Sequence, residues 1–198
     1  MNPITFKANY KNSVEIQKYN GKEYKPCTAA FVELEPSESE VIKNVYAKWN
    51  APLVSGIYKA YSQNPNSKHV YAVTTQNNSF KYLDSNKILG IALLEEYRNT
   101  PTLTPEITYF QVNPQNLSKE YGNSKLNKLK KYFKKLLHCN KSPKQKPQYQ
   151  HIGTKLMKSI QKLYNEKKII LFPLPEAEGF YKKMGFKKSN LFMVWNSK

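Results

Sequence analysis

At Pro114 the chain changes character, and that break constrains how the rest can fold. Residues 115–147 carry ten lysines against one acid and close on the run Ser142-Pro143-Lys144-Gln145-Lys146-Pro147. Within them Leu126, Leu129, Phe133, Leu136 and Leu137 recur at helical spacing, which predicts a basic helix followed by a linker. So many like charges cannot be laid into a packed interior. The core must come from the two flanks, and 115–147 reads as an insertion within a single domain spanning 1–198.

The same break divides the charge. Of the net +18, residues 1–118 supply +2, from 12 basic and 10 acidic side chains, and residues 119–198 supply +16, from 20 and 4. Arg98 is the single arginine, which argues against the bidentate reading of guanine used by sequence-specific DNA binders. Lysines remain point charges for phosphate groups, nucleic acid or acidic protein. A hydrophobic fraction of 39% with 13% aromatics supports a real core and excludes global disorder. No apolar run approaches the ~20 residues of a membrane helix, and Met1–Lys7 lacks an apolar leader core, so a cytoplasmic protein with no membrane span is expected. Cys27 and Cys139 are too few and too far apart for a disulfide framework or a metal cluster.

In the first flank, residues 1–26 are polar and tyrosine-rich and read as an arm or an extra strand pair. Cys27–Glu35 reads as a strand, about 38–49 as a helix, and Val54–Tyr61 as a second helix after the Ala51-Pro52 break. His69–Thr75, Lys87–Tyr97 and Glu106–Val112 read as antiparallel strands separated by turn-forming stretches. In the second flank, Ile152, Leu156, Ile160 and Leu163 mark one buried stripe of a helix over about 151–165. A strand at Lys168–Phe172, a short helix at Glu176–Met184 closed by Gly185, and a last strand at Asn190–Trp195 follow. The expected fold class is α+β: a mixed, mostly antiparallel central sheet flanked by helices, with the basic insertion ahead of the 151–165 helix.

The junction Gln148-Tyr149-Gln150-His151-Ile152-Gly153-Thr154 places unpaired N–H groups at a helix start, where a phosphate or pyrophosphate can sit. Gly153 would let such a ligand approach the backbone. Further on, Ala177-Glu178-Gly179-Phe180-Tyr181-Lys182-Lys183-Met184-Gly185-Phe186 resembles the closing A-x-x-F-Y-x-x-x-G-F motif of the GNAT N-acetyltransferase superfamily. Gln148-x-x-His151-x-Gly153 resembles that family's Q/R-x-x-G-x-G/A acetyl-CoA motif, and Val112-Asn113-Pro114 resembles the V-x-P ending its fourth strand. The resemblance covers roughly 87–195 and leaves residues 1–26 and 115–147 outside it. It departs at His151, where the family has its first glycine, and at Leu174, where many members have asparagine.

The resemblance implies transfer of an acetyl group from acetyl-CoA, as co-substrate, to a primary amine of a protein, tRNA-linked or small-molecule acceptor. It implies Tyr181 as proton donor to the departing thiolate and Glu106 as the base acting through water, with Glu95 and Glu96 as substitutes. Strand alternation puts Glu106, Thr108, Phe110 and Val112 on one face and Ile107, Tyr109 and Gln111 on the other. Gln111 and Val112 would pair with the pantetheine arm, while Gln148 and the N–H groups of Gln150, His151, Ile152, Gly153 and Thr154 would hold the pyrophosphate. Lys155 and the lysines of 141–146 would add charge toward the adenosine phosphates.

The acceptor stays open. The acids Glu33, Glu35, Glu38 and Glu40 suit a cationic amine, whereas the insertion suits docking on RNA or a ribosomal surface. The alternative is a non-catalytic module on a degenerate acetyltransferase fold, gripping nucleic acid or an anionic surface with the 119–146 lysines, Tyr121, Tyr132 and Phe133.

Overall fold

The computed structural model describes residues 8–35, 38–63, 67–76, 83–97, 104–116 and 146–197. Most of the basic insertion, with the helix and linker expected there, lies outside the described residues. The elements are β1 (Ala8–Tyr19), β2 (Tyr24–Leu34), α1 (Ser39–Trp49), α2 (Pro52–Gln63), β3 (Lys68–Thr74), β4 (Ile88–Tyr97), β5 (Thr104–Val112), β6 (Tyr149–Gln150), α3 (Ile152–Leu163), β7 (Ile169–Leu171), α4 (Glu178–Lys183), β8 (Lys187–Ser189) and β9 (Phe192–Trp195). They build a mixed α+β fold on one sheet of order β6-β1-β2-β3-β4-β5-β7-β9-β8. Every pairing is antiparallel except β5 with β7.

Alternation along the strands sends apolar side chains to both faces, so each face needs its own cover. One face presents Val32, Leu34, Val70, Ala72, Ile91 and Leu93 to Val41, Ile42 and Val45 of α1 and Val54, Ile57 and Tyr61 of α2. The Tyr61 hydroxyl donates to the Leu34 carbonyl at 2.6 Å, which satisfies a polar tip inside that core. The other face presents Phe31, Tyr71, Ala92, Leu94 and Ile107 to α3 and α4. On α3 the buried stripe is Ile152, Leu156, Met157 and Ile160, continued by Tyr164 past the helix end. Leu163, the expected fourth member, is 43% exposed instead, because the last turn is spent bringing the Tyr164 hydroxyl to that of Tyr71 at 3.0 Å.

Of the first 26 residues, read as an arm or an extra strand pair, residues 8–26 supply β1 and the opening of β2. Their turn is set by Asn20, whose Oδ1 accepts the N–H groups of Lys22 and Glu23 at 3.0 Å each, with Gly21 at φ 96°. β2 meets β3 only over Ala30–Leu34, so the distal half of the hairpin extends beyond β3. There it takes up β6, with Gln17 opposite Gln150 and Lys18 opposite Tyr149. Neither the two-residue β6 nor the three-residue β8 has enough length to show a period in the sequence.

Candidate active site

The sheet opens between β5 and β7. β5 pairs with β4 as far as Val112 opposite Gly90, but with β7 only at Glu106–Ile170 and Ile107–Leu171. Where this parallel pairing stops, β5 carries a bulge: Leu94 opposes Ile107 and Leu93 opposes Tyr109, leaving Thr108 as the extra residue. A bulge bends its strand and breaks the ladder. From Thr108 to Val112 the β5 edge facing β7 therefore has no strand partner among the described residues. Such an edge pairs readily with an extended ligand. The Thr108 hydroxyl at the bulge is buried with no hydrogen-bond partner among the described residues.

α3 closes one end of this opening. A Cβ on Gly153 would sit 3.3 Å from Val112 Cγ2 and 3.7 Å from both Phe110 Cε1 and Phe180 Cε2, so β5, α3 and α4 meet at that glycine. The Lys155 N–H is bonded to the His151 carbonyl at 2.9 Å, and the helix start has no side-chain cap. By helix geometry the N–H groups of Ile152, Gly153 and Thr154 then have no intrahelical acceptor. The first turn holds no acid and carries Lys155, so it favours an anion. His151 reaches this turn with φ 64°, a conformation that favours glycine. The departure from the acetyl-CoA motif thus falls where the backbone is left-handed.

Tyr181 projects from α4 into the same aromatic cluster, 6.3 Å from Phe110, 5.2 Å from Phe180 and 5.8 Å from Phe186 between ring centroids. Its phenol is pushed up to about 12 by burial and stays protonated at neutral pH. α4 is closed past its C-cap, Met184, by Gly185 at φ 87°, with the Phe186 N–H returning to the Tyr181 carbonyl at 3.1 Å.

The bulge changes the expected faces of β5. Ile107 lies with Phe110 and Val112 on the α3/α4 side, whereas Tyr109 lies on the α1/α2 side. Glu106, opposite Glu95, joins the Tyr109 and Gln111 side rather than that of Phe110 and Val112. The reason is the inserted residue, which shifts the period of two by one. Tyr109 is partly buried against that α1/α2 core. It packs against α2 at Gly56, where a Cβ would come within 2.5 to 2.8 Å of its ring and hydroxyl. A glycine inside a helix costs about 1 kcal/mol relative to alanine, and that is the legible signal that something approaches closely there.

The remaining expected residues separate. Gln111 turns its amide to the Val112 carbonyl at 2.7 Å. The Gln148 carbonyl accepts from the Tyr19 N–H at 2.8 Å, and Gln150 belongs to β6. Glu95 lies 3.9 Å from Lys68, and Glu96 3.0 Å from Lys167. Of the four early acids, Glu33 is tied to Lys11 and to His69, each at 2.6 Å, Glu40 pairs with Lys43 at 3.3 Å, and the Glu38 Oε2 accepts the Glu35 N–H at 3.1 Å. Glu38 is fully buried, and loss of water around its carboxyl raises its pKa to about 7. Leu174 is 52% exposed ahead of the turn into α4. Among the described residues no three His, Cys, Asp or Glu side chains are placed to share a metal, and no helix is long and apolar enough to cross a membrane.

Neither the protein-family models nor the curated proteins contain a match to this chain. Among solved structures, a GNAT-family protein from Desulfovibrio desulfuricans aligns over 84% of this chain and 96% of its own, at 10% identity and a TM-score of 0.44.

Proposed function

We propose that the protein is an acetyl-CoA-dependent N-acetyltransferase acting on a primary amine. The observation that carries this reading is the opening beside β5, where the bulge at Thr108, the end of parallel pairing at Ile107 and the uncapped start of α3 converge. The motifs resembling the superfamily fall on the elements that wall this opening: Val112 at the end of β5, Gly153 in α3, Phe180 and Tyr181 in α4.

These residues fit acetyl-CoA, which when bound supplies the thioester. The free β5 edge suits the extended, amide-bearing pantetheine arm, and the N–H groups of Ile152, Gly153 and Thr154 suit the pyrophosphate. Glu106, on the α1/α2 face with Tyr109 and Gln111, takes the proton of an ammonium through water, so that the free amine attacks from that face. Thr108 and the β5 edge donate hydrogen bonds toward the carbonyl oxygen as charge builds on it. The new C–N bond forms as the C–S bond breaks, and the proton released by nitrogen ends on sulfur.

Tyr181 donates a hydrogen bond to the departing thiolate. With a phenol at about 12 and an ordinary thiol near 8.5, its contribution is to stabilise the thiolate rather than to be its final proton source. Thiol release from acetyl-CoA is the readout, measured against polyamines, lysine peptides and aminoacylated RNA. Amine-dependent release that falls about a hundredfold in Tyr181→Phe supports the reading. Release that no amine stimulates contradicts amine transfer, and release unchanged in that variant contradicts the role of Tyr181.

A further inference from the structure

On β7, Ile169 and Leu171 belong to the α3/α4 core, and so does Met193 of β9, opposite Leu171. The period of two therefore turns Ile170, Phe172, Phe192 and Val194 to the other face, the one that α1 and α2 cover further along the sheet. There the Phe172 and Phe192 rings meet edge to face, with centroids 6.0 Å apart. Phe172 is nevertheless 60% exposed, and Leu191, in the turn between β8 and β9, is 84% exposed. Touching aromatic rings left in water mark a contact surface.

This surface borders the opening. β7 parts from β5 after Leu171, opposite Ile107, so Phe172 is the next residue and stands on the far lip from Thr108 and Tyr109. Glu106 lies opposite Ile170, one pairing inside that lip, and points to the same face as Phe172. The row that starts at Glu106 runs through Ile170 and Val194, both apolar, and reaches Lys187 on β8. Lys187 is three strand spacings from Glu106, roughly 14 Å. The face thus offers a carboxylate at the reacting centre, aromatic surface beside it and a cation at its outer edge. A carrier with a second ammonium is repelled at that edge and gains nothing on the rings, whereas an apolar carrier buries its own surface and theirs.

We propose that the acceptor is a small monoamine on an aromatic carrier, of the phenylalkylamine class, whose ring packs on Phe172 and Phe192 while its nitrogen reaches Glu106. This rests on the transferase reading above and narrows its acceptor. Glu106 takes one proton from the ammonium through water, the nitrogen bonds to the acetyl carbon as the C–S bond breaks, and the next proton that nitrogen sheds goes to sulfur. The products are the neutral amide, the coenzyme thiol and the proton that Glu106 returns to solvent.

The test is thiol release from acetyl-CoA by the full-length protein, measured with 2-phenylethylamine, with spermidine and with a short peptide bearing an N-terminal phenylalanine. The kcat/KM for phenylethylamine is expected to exceed that for either of the others by about tenfold. Phe172→Ala should raise the KM for phenylethylamine roughly fivefold with little change in kcat, the mark of lost binding surface. Phe172→Leu, which keeps most of that surface, should restore much of it. Acetyl-CoA affinity, read by calorimetry, stays unchanged in both variants and shows that the opening is intact, and Leu163→Ala, exposed on α3, alters neither constant. Spermidine or the peptide matching phenylethylamine, or a KM that Phe172→Ala leaves unmoved, overturns this acceptor class and leaves the transferase reading standing. Release that no amine stimulates overturns that reading and this acceptor with it.

Discussion

His151 sits at φ 64° ahead of α3, and its side chain is exposed. A non-glycine residue in this region is uncommon, with histidine among the better tolerated. His151→Gly is therefore expected to keep cofactor binding and change stability by no more than about 1 kcal/mol, whereas the β-branched His151→Val should cost more. Denaturant unfolding of the two variants checks this. Glu38 offers a pH-dependent case. Burial raises its pKa from 4.5 in the unfolded chain to about 7 in the fold, so the native state holds a proton there that the unfolded state gives up. Its contribution is fully present below pH 4.5 and is lost as pH rises through 7. Between pH 5 and 8 the wild type should lose about 2–3 kcal/mol relative to Glu38→Gln, read as the difference between their unfolding free energies. At this scale the sequence displays the unusual residue but not the reason for it. His151 stands out against the glycine motif, yet its meaning lies in a dihedral angle, and nothing in the sequence shows that of Glu33, Glu35, Glu38 and Glu40 it is Glu38 that is buried.

At the scale of elements, helical and strand periods are legible wherever one face is buried. α1, α2, α3, β3, β4 and β5 fall close to where periodicity places them. What periodicity cannot reveal is the single extra residue at Thr108, because a bulge leaves the composition of a strand unchanged while turning its faces over. That is why simple alternation puts Glu106 on the wrong side. The stripe of α3 gives a direct comparison: Leu156→Ala, in the core, should cost about 2–5 kcal/mol, and Leu163→Ala, largely exposed, about 0.5 kcal/mol or less. The packing of α2 on β5 gives another. Gly56→Ala gains about 1 kcal/mol of helix propensity but drives a methyl group into the Tyr109 ring, so a net loss of about 1–3 kcal/mol is expected. Gly56→Ala/Tyr109→Leu should recover most of it, a coupling that a double-mutant cycle measures.

Over the whole molecule, one sheet with a separate apolar core on each face is split between two strands, and the split coincides with the start of a helix rich in free donors. The order of elements in the two flanks is readable without the structure, because each flank carries its own hydrophobic period. The joining of the N-terminal hairpin to the segment before α3 is not, since it rests on two short pairings between residues more than a hundred positions apart. The Tyr149 N–H donates to Asn116 Oδ1 at 3.0 Å, so the chain leaves and rejoins the described structure at neighbouring points. Replacing residues 119–144 by a short Gly/Ser linker is expected to keep cofactor affinity if the cofactor reading holds, since the elements that wall the opening lie outside 119–144. If the non-catalytic alternative holds instead, the same deletion removes a steeply salt-dependent affinity for nucleic acid.

Whether the opening beside β5 holds acetyl-CoA is tested most directly by calorimetric titration of acetyl-CoA into the protein at moderate salt, with AMP and ATP as charge controls. Micromolar binding of acetyl-CoA with much weaker binding of either nucleotide is the expected result. Equal affinities for all three would mean that the charge of +18 attracts phosphate without a site, and would contradict the presence of a cofactor cleft.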